Sequence, residues 1–473
     1  MLKQRQPHGF PIFFLTEMWE RYGFYVLQSL LVFYALEKIQ LSDSDTYAMV
    51  GSFTALAYVN SIFGGLIADR FIGYDKAILA GATLLCIGYT LLTFALDHNI
   101  FILGLAIVTV GTGMLKPNIS SMLSMIYQKT PEKKEIGYTL FYVGIYFGAI
   151  GGSFLGGFIK TYLGWHAVFA SAAIGLAIAF ITFFVGKKRY QLHDSRNITH
   201  NKSKLFKAFI AIIFLIITAF CGIHNKTMSD IFFTLIGLLS LAFLIYNIKA
   251  HTGDERKKLT AFTILTVFSG LYWAVYFQQF FSVSLAAERV TNLSMPASSL
   301  TAFESLGVII FGPLINGLWL WLQHRNKDLS IPAKFSLSFL FNGLSFFILI
   351  VSLQYAINHN SQLLQIFIII SYLMIAFGEL LIAPIGLAMV STLTPQRLNG
   401  AMMGIFLMSI GLGGKLAGIL AQSAASTENS TINQLEHIYR NSFVIYCSFS
   451  LLIFIICLIM IKPINKLIQG TTT

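Results

Sequence analysis

Apolar runs of twenty or more residues recur from one end of this chain to the other, and few folds can absorb them. The first extends from Phe10 to Leu36, interrupted only by the charges of the stretch TEMWERYGFY, residues 16–25. A helix needs about 20 mostly apolar residues to cross a bilayer. In lipid the backbone must satisfy its own hydrogen bonds, which leaves helices or a closed β-barrel. Barrel strands alternate polar and apolar residues, whereas these runs are continuous. Composition agrees: 56% of the 473 residues are hydrophobic and 11% charged, against roughly 25% charged in soluble domains. The first run is too long for a signal h-region and lacks a small-residue cleavage site behind it. It reads as the first span of an all-α membrane protein.

Spans are predicted near 11–36, 47–68, 76–96, 100–126, 136–160 and 166–186, then near 207–223 and 231–249. A last set lies near 258–286, 297–322, 332–354, 362–392, 399–424 and 437–461. This gives 14 transmembrane helices as six, two and six: an N-terminal bundle (1–186), a linker with two additional helices (187–257) and a C-terminal bundle (258–473). The basic connection Lys187–Lys207 is the interdomain linker. With a cytoplasmic N-terminus, only Lys38, Lys160, Lys226, Arg289 and Arg440 fall on the outer side. That asymmetry follows the positive-inside rule, so both termini are expected in the cytoplasm. The net charge of +12 is then a matter of topology and calls for no nucleic-acid partner. Two six-helix bundles around a midplane cavity are transporter architecture. Between the second and third spans, GGLIADRFIGYDK (Gly64–Lys76) is similar to the loop signature of the major facilitator superfamily.

Seven Asp, Glu, Lys or Arg residues lie within spans: Glu17, Glu20, Arg21, Lys116, Glu304, Glu379 and Lys415. Such residues are costly in hydrocarbon and face a water-filled path or one another. Glu17, Glu20 and Arg21 are three and four positions apart, so they share one helix face, with Gln28 further along the stripe. Arg21 and Lys116 each lie roughly 15 Å from the inner end of their spans, near the midplane. Glu379 has a similar depth on the C-terminal side. Stapling helices is a weak reason to assemble this many charges, because buried ion pairs are often neutral for stability. A cavity basic on one wall and acidic on the other suits a zwitterion.

All ten histidines fall in loops or near helix ends, which leaves carboxylates to carry a proton. Desolvation favours the protonated carboxyl and a nearby cation favours the ionised one, so a glutamate that changes its cation partner becomes a coupling device. GLGGKL, Gly411–Leu416, fails the spacing of a phosphate-binding loop. Cys86, Cys221, Cys447 and Cys457 have no metal-ligand spacing, and no nucleophile–base pair stands out. No enzyme activity, metal or cofactor is expected beyond the proton as coupling ion.

The residues carry a family resemblance as well. EMWERYGFY resembles the ExxER signature of the proton-dependent oligopeptide transporter (POT/PTR) family. GTGMLKPNISSMLSMIYQ…GYTLFYVGIYFGAIGG (Gly111–Gly152) and GELLIAPIGLAMVSTLTPQRLNGAMMG (Gly378–Gly404) resemble two further blocks of that family. The resemblance implies a proton-coupled symporter of di- and tripeptides that works by alternating access. It makes Glu17, Glu20, Arg21 and Lys116 the coupling cluster, with Arg21 and Lys116 also holding the peptide carboxylate. Glu379 becomes the acceptor for the peptide amino group, and Tyr25, Gln28 and Tyr58 line the cavity.

Several positions depart from the family pattern. The fifth-span Asn is Tyr146, and the eighth-span Asn is Glu304. The acid before the Gln matched by Gln278 is Phe277. The eleventh-span Trp is Phe406, and a nearby Asn is Gly414, followed by Lys415. Tyr146, Gln278, Glu304 and Phe406 complete the expected substrate-binding set. Glu304 and Lys415 come out at nearly one level, which suggests a gate pair; otherwise Lys415 snorkels along its helix and Glu304 faces vestibule water. The altered pocket leaves open another small amphiphile as substrate, such as an amino acid, a modified peptide or an organic anion. A transport-dead sensor is opposed by the intact cluster. The expected setting is a bacterial inner membrane, with the protein working as a monomer in the lipid bilayer.

Overall fold

The computed structural model describes residues 6–469 apart from 96, 129, 131, 132, 193, 195–201 and 428. The middle of the expected linker and the last residue of the expected third span thus lie outside the described residues. Helix dominates. In chain order the α-helices are α1 (Phe10–Glu37), α2 (Asp43–Ile67), α3 (Tyr74–Thr93), α4 (His98–Ile126), α5 (Lys134–Arg189), α6 (Lys202–His224), α7 (Lys226–Ala250) and α8 (Gly253–Tyr276). After them come α9 (Ser282–Val290), α10 (Ala302–His324), α11 (Ile331–Asn358), α12 (Gln365–Leu380), α13 (Ala383–Leu393), α14 (Asn399–Ala421) and α15 (Ile432–Gln469). Twelve helical stretches of the described chain are long and apolar enough to cross a membrane. One of them is α5, whose backbone leaves helical geometry at Gly164 (φ 81°). α1 is not among the twelve, because Glu17, Glu20 and Arg21 interrupt its apolar run.

The chain forms two compact units, Met1–Gln40 with Ser52–Lys226 and Leu41–Gly51 with Thr227–Thr473. In the first, α1 lies along α5 and α3 packs between α4 and α5. The fit of α1 to α5 depends on glycine. A Cβ at Gly148 would run into the Met18 carbonyl and the Arg21 side chain, and one at Gly152 into the Tyr22 carbonyl. Small residues four apart let two backbones touch in lipid, and here they do so beside the charged stripe. A second close approach joins α2 to α4, where a Cβ at Gly113 would come 2.6 Å from the Asn60 carbonyl. Pro117 has no N–H to offer the Gly113 carbonyl, and the Asn118 amide spans both helices by donating to Gly64 O at 3.3 Å and Met114 O at 2.6 Å.

The segment expected as the Gly64–Lys76 loop is mostly helical. α2 continues as a π-helical turn over Ala68–Ile72, and only Gly73, at φ 83°, reverses the chain. Asp69 and Arg70 belong to that turn. Just beyond it Asp75 pairs with Lys187, tying α3 to the end of α5.

In the second unit α11 packs on α15 and α12, α8 on α14, and α10 on α12. Two spans expected as continuous helices are broken. After α8 the chain makes a 3-10 turn, Phe277–Phe280, before α9. α12 ends at Leu380 and α13 begins at Ala383, because Pro384 cannot donate to the Leu380 carbonyl. The two helices between the bundles separate: α6 belongs to the first unit, against α4, and α7 to the second.

Gly148→Leu should prevent α1 from seating on α5. Overpacking of this kind costs about 1–3 kcal/mol, read as a lower thermal midpoint in detergent. Gly65→Ala, with no atom within 4 Å of the new methyl, should leave the midpoint unchanged.

Candidate functional site

The charged stripe of α1 is almost wholly removed from solvent. Glu17, Glu20 and Arg21 are 1%, 1% and 2% exposed. Arg21 Nε lies 3.5 Å from Glu17 Oε1, and the guanidinium also pairs with Glu20. Its other face covers the Phe24 ring, with Cζ 4.8 Å from the centroid. One cation between two carboxylates leaves a net negative cluster, and the half-buried Lys116 of α4 stands within electrostatic reach of Glu17. Lys116 Nζ sits 5.2 Å from the centre of the Tyr58 ring, a cation–π contact. Glu17 Oε2 and Glu20 Oε1 are buried and accept no hydrogen bond from any described residue. Each is an acceptor that a proton can occupy.

Gln28 continues the stripe, its amide donating to Thr54 Oγ1 at 3.3 Å. Tyr25 and Tyr146 are half-buried on α1 and α5. Tyr89 supports the cluster from α3: its hydroxyl donates to the Gly23 carbonyl at 2.7 Å, within reach of Glu20. A tyrosine in an ordinary apolar span carries no signal that would have singled it out.

In the second unit Glu379 occupies the last turn of α12, at the middle of the broken α12–α13 span. Glu304 lies in the first turn of α10. Tyr276, at the end of α8, joins them. Its hydroxyl is 3.2 Å from Glu304 Oε1 and 3.2 Å from Glu379 Oε2. Tyr276 directly precedes Phe277 and the 3-10 turn.

Three sequence assignments need correction. The Glu304–Lys415 pair does not form. Lys415 Nζ lies 2.8 Å from Asp230 Oδ1 and donates to Ser229 Oγ at 2.8 Å, both on α7. Asp230 falls just before the expected span 231–249, where it reads as a loop residue. Gln278 is buried and bonded to its neighbours: its amide donates to the carbonyls of Ala274 and Ala417, and its oxygen accepts from Ser282. Phe406 is buried against Gly386 of α13, where it packs rather than lines an opening. A cavity of about 430 Å³ beside the Gly164 break is lined by Tyr34, Lys38, Trp165 and His166 among others, with none of the charged candidates.

Long apolar helices that bury mutually compensating charges define a polytopic membrane transporter. The chain belongs to the POT family: residues 75–438 match the family's sequence profile, PTR2. It is 28% identical to dipeptide and tripeptide permease A of Erwinia pyrifoliae over 453 residues, covering 93% of this chain and 90% of that one. To permease A of Escherichia coli K12 it is 28% identical over 432 residues, 88% and 85% of the two chains. A structure solved to study substrate recognition in proton dependent oligopeptide transporters superposes with a TM-score of 0.85 at 25% identity, covering 97% and 99%. The family and these relatives are permeases, not enzymes.

Asp230→Asn should cost more stability than Lys415→Met, because the first strands an ammonium whose side chain is 7% exposed, whereas Asp230 is 45% exposed. Stranding a fully buried charge costs about 3–5 kcal/mol, and exposure of the partner lowers that figure. Thermal unfolding of the Asp230→Asn/Lys415→Met cycle should show coupling. The Glu304→Gln/Lys415→Met cycle should be additive.

Proposed function

We infer that the protein is a proton-coupled symporter that imports di- and tripeptides across a bacterial inner membrane by alternating access. The observation that carries this reading is the buried Glu17–Arg21–Glu20 stripe with Lys116 in electrostatic reach. A guanidinium flanked by two carboxylates is held while both are ionised. Protonation of one releases part of that hold, and Arg21 with Lys116 can then take a substrate carboxylate. A proton and a peptide carboxylate thereby favour each other's binding, as symport requires. Relatives named as dipeptide and tripeptide permeases at 27–28% identity over most of the chain support the substrate class.

In this reading Glu17, Glu20, Arg21 and Lys116 couple the proton. Tyr25, Gln28, Tyr58 and Tyr146 border the peptide path, and Glu379 takes the amino group. Gln278 and Phe406 shape the wall from behind. Counting α1 despite its charges and dividing α5 at Gly164 gives fourteen spans, with both termini cytoplasmic. The bundles are 1–186 and 258–473, residues 187–257 are an insertion, and the monomer in the bilayer is the working unit.

Proteoliposomes with an inward proton gradient test the coupling cluster. Glu20→Gln and Lys116→Ala should reduce concentrative peptide uptake to background. Counterflow, which needs site access but no net proton movement, should persist in at least one of them. Concentration of peptide by both variants as by wild type would refute the assignment.

A further inference from the structure

The cavity of about 430 Å³ in the first unit contains none of the residues assigned above to proton or peptide. Its size lies within the range of about 300–1,000 Å³ that small-molecule pockets occupy. It sits where α1 ends, where α3 ends and where α5 breaks at Gly164, and its walls include Tyr34, Lys38, Thr93, Trp165, His166 and Phe169. Spans that end together mark the level at which a bilayer passes from hydrocarbon to headgroups. The aromatic walls fit that level, because tryptophan and tyrosine gather at the membrane interface. They are also held in place. The Tyr34 ring packs on Phe101, Trp165 and Phe169 with centroids 4.9, 5.0 and 4.9 Å away.

Three polar groups give the pocket its chemistry. Lys38 brings a positive charge. The adjacent Glu37 is already paired with Lys160 and accepts from Trp165 Nε1 at 3.1 Å. Asp97, a little beyond α3, caps α4 by accepting from the Ile100 N–H at 2.9 Å. Lys38 is left without an acidic partner among the described residues. His166 has a fixed tautomer: its Nδ1 lies 2.6 Å from the Thr93 carbonyl, which can only accept, so Nδ1 carries the proton. In the neutral ring Nε2 is then an acceptor. Tyr34 is 5% exposed, and its hydroxyl has no hydrogen-bond partner among the described residues. A buried phenol ordinarily finds one. A cation, an acceptor and a donor in one pocket suit a ligand that carries both an anionic oxygen and hydroxyls.

The rim indicates where such a ligand comes from. Phe94, between the lining residues Thr93 and Ala95, is 67% exposed, and Tyr162 and Leu163, just before Gly164, are 77% and 71% exposed. At the end of a membrane span, side chains of this kind face lipid. An ethanolamine headgroup would set its ammonium beside Lys38, where like charge opposes it. A glycerol headgroup brings hydroxyls instead.

We propose that this pocket binds the headgroup of a phosphatidylglycerol-type lipid, with the phosphodiester against the Lys38 ammonium and the glycerol hydroxyls shared between His166 Nε2 and the Tyr34 hydroxyl. The bound lipid ties the ends of α1 and α3 to the break in α5.

Mass spectrometry of the intact purified protein, titrated in detergent with dioleoylphosphatidylglycerol or dioleoylphosphatidylethanolamine, resolves each bound lipid. The first phosphatidylglycerol should bind the wild type more tightly than the first phosphatidylethanolamine. Lys38→Gln should weaken that binding about fivefold, the contribution of one lysine to anionic lipid at a membrane surface. His166→Leu should weaken it as well. Lys38 is exposed, so the fold of its variant should hold. Lys188→Gln, the same change of charge at the far end of α5, should leave the affinity unchanged. Equal binding of the two lipids, an unchanged affinity in Lys38→Gln or in His166→Leu, or an equal loss in Lys188→Gln would overturn the proposal. Displacement of the lipid by water-soluble glycerol 1-phosphate would overturn it too, by making a free phosphate ester the ligand. Peptide uptake enters none of these measurements, so the peptide reading stands whichever result is obtained.

Discussion

Charge removed from water has to be compensated nearby, and that requirement organises the first unit. A charged side chain at mid-membrane costs about 2.5–3.5 kcal/mol on insertion scales, and α1 carries three on one stripe. Two carboxylates around one guanidinium leave an unbalanced negative charge, which Lys116 answers from α4. The backbone contacts serve that arrangement. Gly148 and Gly152 let α5 close over Met18, Arg21 and Tyr22, while Gly113 and Pro117 hold α4 against α2 one turn or less from Lys116. Packing and electrostatics are specified by the same few turns.

The second unit meets the requirement with different chemistry. Its interior acids face tyrosines: Tyr276 touches both Glu304 and Glu379, and Tyr272 lies close to both. Its interior ammonium, Lys415, is answered by Asp230 of α7. Helix breaks decide where these groups stand. Pro384 ends α12 just after Glu379 and places that carboxylate at a helix terminus in the middle of a span, where irregular backbone is tolerated only inside protein or beside a polar path.

Much of this was legible in the residues. The long apolar helices follow from run length, and Glu17, Glu20 and Arg21 fall on one face by helical spacing alone. The family blocks carried the POT assignment, which the profile match over residues 75–438 shows independently. What escaped depends on contacts between distant segments. Depth arithmetic put Glu304 and Lys415 at one level but could not say which way each helix is turned, so Asp230, some 185 positions earlier, was invisible as the partner. Gln278 matched a family position by type, yet only three-dimensional placement shows its amide spent on Ala274, Ala417 and Ser282. The Pro384 break was written in the sequence as APIG, but hydropathy averages over it.

These departures share a physical origin. A neutral Asn can be changed to Glu inside a membrane protein only if the new charge is neutralised, by a cation or by a proton. No cation lies within ion-pair distance of Glu304 among the described residues, and the hydroxyl it does meet is shared with a second acid. The positions Glu304, Phe277 and Lys415 fit the same rule: an acid is missing from one span and present in the next, and the basic newcomer has its own acidic partner on a helix that the two-bundle plan does not require.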